Sequence, residues 1–230
     1  GILRNTNWTD ILTSKADKST QGLFDFPKNV DLIKILLQCA TDKDSIILDF
    51  FSGSATTAHA VMQLNAEDQG TRKFIMVQIP ELTNEKSTAY KEKYFNICQI
   101  GEERIRRAGQ EIKKASPITT QKLDIGFRVL KLDSTNMLDV YYTPADLKQD
   151  QLSLFTKSVK EGRSSEDLLF QVMLELGATL DSKIVSEKIA GKEIFNVADG
   201  YLVACFGDEV NDDAVIAIAK LQPQYSVFQD

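Results

Sequence analysis

Apolar residues between positions 30 and 49 follow first a helical and then a strand pattern. The segment VDLIKILLQCA at 30–40 predicts an amphipathic helix whose apolar face carries Leu32, Ile35, Leu36 and Cys39. The segment SIILD at 45–49 is apolar without alternation, which is typical of a strand buried on both faces of a parallel sheet. The first elements are therefore predicted to be a helix followed by an inner strand.

The same alternation of element types continues to residue 132. The predicted elements are a helix at 56–64, a strand at 73–79, a long helix at 88–114 and a third strand at 127–132. Strands that alternate with helices indicate a parallel sheet with crossover helices. The fold class predicted for this part is α/β, with a partial doubly wound, Rossmann-like sheet.

The pattern changes after about residue 134. A helix is predicted to begin near Ser164 and to stop at Gly177. Short strands, a helix and a last strand follow, at 183–189, 193–197, 201–206, 212–220 and 225–228. We therefore predict three parts: a connecting segment at 1–22, an α/β part at 23–133 and a small α+β module at 134–230.

Composition narrows the class of protein. Hydrophobic residues make up 43% and charged residues 26%, as in ordinary globular domains. No apolar run approaches the roughly 20 residues of a membrane helix, and no signal peptide is visible, which indicates a cytoplasmic protein without a membrane partner. The chain begins without Met, so we expect it to be a piece of a longer polypeptide.

Cysteine content argues against a zinc site, and the net charge argues against a chain that binds DNA alone. The three cysteines, Cys39, Cys98 and Cys205, are isolated in apolar patterns, and with a single histidine they argue against a zinc site. We expect all three to be core residues. The net charge of −6 argues against a stand-alone DNA-binding chain, because such chains neutralise phosphates with basic residues. This net charge is compatible with the chain being part of a larger enzyme that acts on nucleic acid.

The stretch DFFSGSATT at 49–57 is the candidate ligand loop. Asp49 ends the first strand, and ligands of open parallel sheets bind beyond the carboxyl ends of strands. Gly53 allows the backbone to approach a ligand. Hydroxyl groups and backbone N–H groups near the start of the following helix are supplied by Ser52, Ser54, Thr56 and Thr57. Glu81 follows the second strand, where an acid binds ribose hydroxyls in such folds.

The loop favours a nucleoside cofactor without phosphates. Neither the GxGxxG fingerprint of dinucleotide sites nor the GK[ST] of a P-loop is present, which excludes a nicotinamide-dependent dehydrogenase. S-adenosylmethionine is the common cofactor of this kind, and its ammonium group suits the Asp49 carboxylate. A plain strand-to-helix turn capped by Ser and Thr is the alternative.

Several segments resemble one protein family. FDFPKNVDLIKILLQCATDKDSIILDFFSGSATTAHAV, RKFIMVQIPE and IGEERIRRA resemble the modification (Mod) subunits of type III restriction–modification systems, which are β-class adenine-N6 DNA methyltransferases. Later segments such as GFRVLKLD, YYTPADL and EGRSSEDLLFQVMLELG are similar as well. The resemblance implies an S-adenosylmethionine-dependent methyltransferase sheet. It also implies three partners: DNA, a second Mod subunit and a helicase–nuclease restriction subunit.

The resemblance assigns cofactor-binding roles by position. Motif X corresponds to Phe26, Pro27 and Lys28, motif I to Asp49, Phe50, Phe51, Gly53 and Ser54 with Thr56 and Thr57, and motif II to Glu81. Two positions depart from the family: Asn29 replaces a proline, and Ala55 replaces the second glycine of the loop. If that glycine needs a positive φ, alanine costs on the order of 1 kcal/mol. If the glycine only provides clearance, the alanine methyl group crowds the cofactor. In both cases we expect weaker cofactor binding.

The resemblance also implies that no catalytic residue lies in this chain. Enzymes of this class hold the flipped adenine with a D-P-P-Y loop before motif X, and the five prolines here are never adjacent. The chain is then the cofactor-binding part of a methyltransferase and should not methylate DNA alone. The alternative is a non-catalytic interaction module for Mod dimerisation or for docking of the restriction subunit.

A basic cluster on the long helix has two interpretations. It comprises Arg104, Arg106, Arg107, Lys113 and Lys114, interleaved with Glu102, Glu103 and Glu111. The favoured interpretation is a solvated helix face with paired charges, and the other is a phosphate contact.

Overall fold

A computed structural model describes Leu23 and residues 28–117, 120–138, 158–207 and 210–229. Phe26 and Pro27 lie outside these residues. The chain divides into two compact units, Gly1–Phe127 and Arg128–Asp230, each with helices and its own sheet. The architecture is thus mixed α/β, while the three-part division at residues 22 and 133 stays a prediction. Among the described helices, none is both long and apolar enough to cross a membrane.

In its described residues, the first unit alternates helices with two short strands. Its elements are α1 (Val30–Ala40), β1 (Ile46–Asp49), α2 (Thr56–Asp68), β2 (Lys73–Met76), α3 (Thr88–Lys91) and α4 (Ile97–Ala115). The strands β1 and β2 are parallel neighbours, with Ile47 opposite Phe74 and Leu48 opposite Ile75. Because side chains alternate along a strand, Ile47 faces the core cluster of Val61 and Leu64.

The other face of this sheet is not covered by any of the described residues. Leu48, Ile75 and Val77, which we call the uncovered face, are each at least half exposed. The prediction that the first strand is buried on both faces is therefore wrong for this chain. The apolar run correctly indicates an inner strand, but no layer packs on its second side in the described residues.

The predicted third strand is also absent from the described residues. Residues 127–132 have no strand partner there, and the sheet of this unit has two strands. Phe127, together with Ile125, instead packs against the cluster of Met62 and Ala108 from α2 and α4. The alternation of apolar residues could not distinguish a strand that pairs in a sheet from an extended segment that packs on helices.

The predicted helix at 30–40 is confirmed, but its buried face is wrong. Asn29 caps α1, since its side-chain oxygen accepts a hydrogen bond from the Leu32 N–H at 3.2 Å. The departure from proline at this position thus supplies a helix cap. Val30 and Leu37 are the buried residues, because α1 packs on α2 through them, while Leu36 and Cys39 are exposed.

The predicted long helix at 88–114 is two helices. Lys93 has a φ of +69°, which breaks the helical path between α3 and α4. Asn96 then starts α4, because its side-chain oxygen accepts a hydrogen bond from the Gln99 N–H at 3.0 Å. The apolar spacing continues across this break, so periodicity alone predicted one helix. The asparagine at position 96, a common helix N-cap, was the available signal for a second helix.

The described residues of the second unit form a four-stranded sheet and two helices. Its elements are α5 (Ser165–Glu175), β3 (Ile184–Ile189), β4 (Lys192–Val197), a 3₁₀ turn (Ala198–Gly200), β5 (Leu202–Cys205), α6 (Asp212–Lys220) and β6 (Tyr225–Phe228). The strand order is β3-β4-β5-β6, antiparallel except for the last pair. The predicted strands and helices of this region are confirmed within about two residues. Cys205 is a buried core residue as predicted.

Replacing Ser164 with alanine is expected to destabilise the second unit. Ser164 and Asp167 form a reciprocal capping box at the start of α5: the Ser164 hydroxyl oxygen accepts from the Asp167 N–H and the Asp167 carboxylate from the Ser164 N–H. Ser164→Ala should lower the free energy of unfolding by about 1 kcal/mol, measured by urea denaturation. Ser165→Ala, one residue further on, is the control and should change stability by less than about half as much.

Candidate functional site

The candidate site lies where β1 turns into α2. The extended chain after β2 stays beside it, since the Val77 N–H donates to the Asp49 carbonyl oxygen at 2.9 Å and the Ser52 N–H to the Val77 carbonyl oxygen at 3.2 Å. The loop at 50–55 therefore leaves the carboxyl edge of the sheet at a fixed point. This is the edge at which open parallel sheets bind their ligands.

The carboxylate of Asp49 is held in place by two donors. One of its oxygens accepts from the Thr57 hydroxyl at 2.6 Å, and the other accepts from the Phe51 N–H at 3.2 Å. Asp49 itself is half-buried at the strand end. The structure thus brings three of the predicted site residues together around one fixed negative charge.

Gly53 forms an open position in the loop. Its φ is +53°, and no atom lies within 4 Å of where a side-chain Cβ would stand. Its N–H donates to the side-chain oxygen of Gln78 at 2.8 Å. The backbone is therefore fixed on one side and has free space on the other, which is the geometry needed for close approach of a ligand.

Cys98 supports Gln78 from α4. Its thiol contacts the Gln78 carbonyl oxygen at 3.5 Å. Burial raises the pKa of the Cys98 thiol above its ordinary value, and the nearby Glu102 carboxylate raises it further. Cys98 is thus a half-buried thiol beside the site that stays protonated at neutral pH.

Ala55 occupies the left-handed region, with φ 60° and ψ 39°. A glycine adopts a positive φ without strain, whereas alanine costs about 1–2 kcal/mol there. Ala55 precedes α2 without a side-chain cap and is 3% exposed. Its methyl group packs inward, because a Cβ built on Gly101 of α4 would be 3.4 Å from the Ala55 Cβ. The substitution therefore strains the backbone without placing the methyl group on the open side of the loop.

Ser54 and Thr56 face the interior. Both are buried, and both hydroxyl oxygens accept hydrogen bonds from Nη1 of Arg104, at 2.9 Å and 2.5 Å. A cofactor-binding role of Ser54 and Thr56 stays a prediction. Because their hydroxyl groups bind Arg104 below the loop, their backbone groups would have that role.

The helix face with paired charges is confirmed in part. Arg106 and Arg107 are paired with Glu102 and Glu103, at 2.9 Å and 2.7 Å. For Arg104 the prediction is wrong, because it is 1% exposed and lies under the loop. Its place follows from helical spacing, since position 104 falls on the apolar face of α4.

The remaining predicted site residues are exposed. Phe50 and Phe51 are 63% and 79% exposed, and their rings contact each other at 5.1 Å between centroids. Lys28 precedes the cap of α1 and is exposed. Glu81 is also exposed, and its carbonyl oxygen accepts from the Ile97 N–H at 3.0 Å, which ties it to the start of α4.

The described residues fit S-adenosylmethionine in three respects. The Asp49 carboxylate suits an ammonium group, the space above Gly53 admits a ligand, and the exposed ring of Phe51 offers an apolar surface for the thioether or the base. The assignment of these residues to a cofactor site stays a prediction. Gln78 and Arg104 were missed by sequence reasoning.

Comparison with known proteins identifies similar sequences. Residues 3–110 match the DNA methylase family. The chain is 35% identical to the Mod subunit of the type III restriction-modification enzyme StyLTI of Salmonella typhimurium over 165 residues, which is 66% of this chain and 25% of that protein. It is 43% identical over 108 residues to the EcoPI Mod subunit of Escherichia phage P1, covering 47% of this chain and 16% of that protein.

A third relative belongs to another type of system. The type II methyltransferase M.KpnI of Klebsiella pneumoniae is 40% identical over 78 residues, 34% of this chain and 19% of that protein. The matched part thus spans about a quarter or less of the length of these curated relatives. The predicted resemblance to type III Mod subunits is confirmed over the matched residues.

Proposed function

We propose that this chain, with its confirmed resemblance to type III Mod subunits, is the S-adenosylmethionine-binding part of a site-specific DNA adenine-N6 methyltransferase. The relatives named above are Mod subunits and a type II methyltransferase, and residues 3–110 match the DNA methylase family, which supports such a parent protein. The proposed assignment includes DNA, a second Mod subunit and a restriction subunit as partners of the parent, acting in the cytoplasm.

The observation that carries the proposal is the arrangement of Asp49 and Gly53. The carboxylate of Asp49, fixed by Thr57 and by the Phe51 N–H, begins the same short loop that contains Gly53, a glycine with open space at its Cβ position, at the carboxyl edge of a parallel sheet. A plain turn capped by Ser and Thr would need neither the fixed charge nor the open position. Moreover, the serine and threonine next to Ala55 do not cap α2 with their side chains.

In the proposed site each residue has a distinct role. Asp49 would hold the ammonium group of the methionine part, directly or through water, and Glu81 would accept hydrogen bonds from the ribose hydroxyls. Phe51 would cover the cofactor and exclude water from it. The bound cofactor supplies a methyl group on a positively charged sulfur. Motif X, with Lys28 at its end, would contact the methionine part.

The uncovered face supports a larger sheet in the parent protein. A parallel sheet is normally covered on both faces, whereas Leu48, Ile75 and Val77 are exposed here. We propose that the parent has a doubly wound, Rossmann-like sheet, with residues 23–133 as its cofactor half. Residues outside this chain would supply the second layer and the loop that holds the adenine, because the chain has no adjacent prolines for a D-P-P-Y.

Titration of the full-length polypeptide with S-adenosylmethionine in a calorimeter tests the proposal. Binding with a dissociation constant in the micromolar range, about −8 kcal/mol, is expected. S-adenosylhomocysteine, which keeps the ammonium group and ribose, should bind as well, whereas ATP should not compete. A folded protein that binds neither compound contradicts the proposal and favours the interaction module.

Gly53→Ala is expected to weaken cofactor binding beyond its effect on folding. Alanine at a positive φ lowers the free energy of unfolding by about 1–2 kcal/mol, and its methyl group would enter the open space above the loop. Gly162→Ala is a matched control, because Gly162 has a φ of +80° and the same lack of neighbours within 4 Å. Both variants should lose similar stability, and only Gly53→Ala should raise the dissociation constant, by about tenfold.

A further inference from the structure

We propose that Arg104 is a positioning residue that holds the cofactor loop in its binding shape from below. The inference rests on the proposed function, since it concerns the same loop. Arg104 acts through Ser54 and Thr56, and the cofactor would lie on the opposite side of the loop. Residues of the loop itself, and not Arg104, would touch the cofactor.

The contacts of Arg104 join α4 to both sides of one strained residue. The guanidinium nitrogen Nη1 donates to the Ser54 hydroxyl at 2.9 Å and the Thr56 hydroxyl at 2.5 Å, and it lies 3.4 Å from the Ser54 carbonyl oxygen. All three residues are at most 5% exposed, so water does not compete for these hydrogen bonds. Ala55 lies between Ser54 and Thr56, so hydrogen bonds to both of its neighbours hold its backbone in place.

The loop needs such a tether because its conformation is unfavourable by itself. Gly53 and Ala55 both have positive φ angles, and α2 begins without a side-chain cap. Strained backbone of this kind persists only where surrounding contacts impose it. The hydrogen bonds of Arg104 supply such contacts at the two residues next to Ala55.

Gly101 brings α4 close enough for this contact. One turn before Arg104, a Cβ on Gly101 would stand 3.4 Å from both the Ala55 Cβ and the Gly53 carbonyl oxygen. The helix therefore supports the loop directly, with the glycine providing space and the arginine providing donors. A guanidinium holds its donors in a rigid plane, so its contacts fix direction as well as distance.

A second buried arginine in the same unit provides a matched control. Arg72 is 7% exposed and bonds to Asp68 at 2.9 Å and to the Thr41 hydroxyl at 3.1 Å. These contacts lie at the far end of α2 from the loop, because Thr56 and Asp68 are its first and last residues. Removing Arg72 thus removes a buried arginine without touching the loop.

The test compares Arg104→Met, Arg104→Lys and Arg72→Met in the full-length polypeptide. Calorimetry should give a dissociation constant for S-adenosylmethionine that is about tenfold higher or more in Arg104→Met, intermediate in Arg104→Lys, and within about twofold of wild type in Arg72→Met. Hydrogen exchange of the backbone amides at 52–57 should be faster in Arg104→Met without cofactor, and unchanged in Arg72→Met.

Each outcome has a defined meaning. Equal affinities and equal loop exchange in the two methionine variants would overturn the inference. If the wild-type protein binds no cofactor, the proposed function fails, and the role of Arg104 in holding the loop is then decided by the exchange rates alone. If Arg104→Met does not fold, Ser54→Ala and Thr56→Val remove the acceptors instead, and wild-type affinity and loop exchange in both would contradict the inference.

Discussion

Asp49→Asn is expected to raise the dissociation constant for S-adenosylmethionine by about 10- to 100-fold, the effect of losing a charge-assisted hydrogen bond. Asparagine has the size of aspartate, its side-chain oxygen can accept from the Phe51 N–H, and its amide can donate to the Thr57 hydroxyl. The loop should therefore keep its shape. What the variant removes is the negative charge that is proposed to bind the ammonium group of the cofactor.

Asp124→Asn is the control for this variant. Asp124 accepts a hydrogen bond from the N–H two residues later, that of Gly126 at 2.8 Å, just as Asp49 does from Phe51. It should leave cofactor affinity unchanged. Isothermal titration gives the affinities, and thermal unfolding shows whether both variants fold. Unchanged affinity in Asp49→Asn would remove the main support for the proposed binding mode.

Leu202→Ala is expected to lower the free energy of unfolding of the second unit by about 2–5 kcal/mol. Leu202 is 0% exposed and lies in β5, where it packs with Phe195, Leu169 and Met173. Truncation leaves a cavity in a close-packed core. The protein then loses the favourable free energy of transferring the removed carbon atoms out of water and the van der Waals contacts that those atoms made. A domain stable by about 5–15 kcal/mol loses a large share of its stability through such a change.

The matching control is Leu174→Ala on α5. Leu174 is 62% exposed, so the same truncation should change stability by less than about 0.5 kcal/mol. Urea denaturation, followed by circular dichroism, measures the stability of both variants. The urea concentration at the midpoint should fall in Leu202→Ala, and the dependence of the free energy of unfolding on urea concentration should stay constant. Similar losses in the two variants would contradict the assigned burial.

The sequence predicted local elements better than their partners. Helix α1 and the elements of the second unit followed from caps, glycine stops and apolar spacing, all of which act over a few residues. The third strand at 127–132 and the unbroken helix at 88–114 were wrong. Strand pairing depends on distant segments, and the break between α3 and α4 depends on the positive φ of Lys93 and on the Asn96 cap that starts α4.

The candidate site shows the same division. Asp49, Gly53 and the end of the strand could be located from motif and position. The inward orientation of Ser54 and Thr56 could not, because it depends on Arg104, 48 residues from Thr56 along the chain. Position 104 lies on the apolar face of α4, and a basic residue on such a face was the available signal. Gln78 could have been suspected from its place after β2.

The uncovered face also governs how the isolated chain behaves in concentrated solution. Its branched aliphatic side chains attract like surfaces at short range. In the described residues the outer edges of the β1–β2 pair have no strand partner, so their backbone groups can pair with those of another molecule. The net charge of −6 opposes this attraction, over a distance of about 30 Å at 0.01 M ionic strength but only about 8 Å at 0.15 M. The second virial coefficient should therefore change from positive to negative as salt is added.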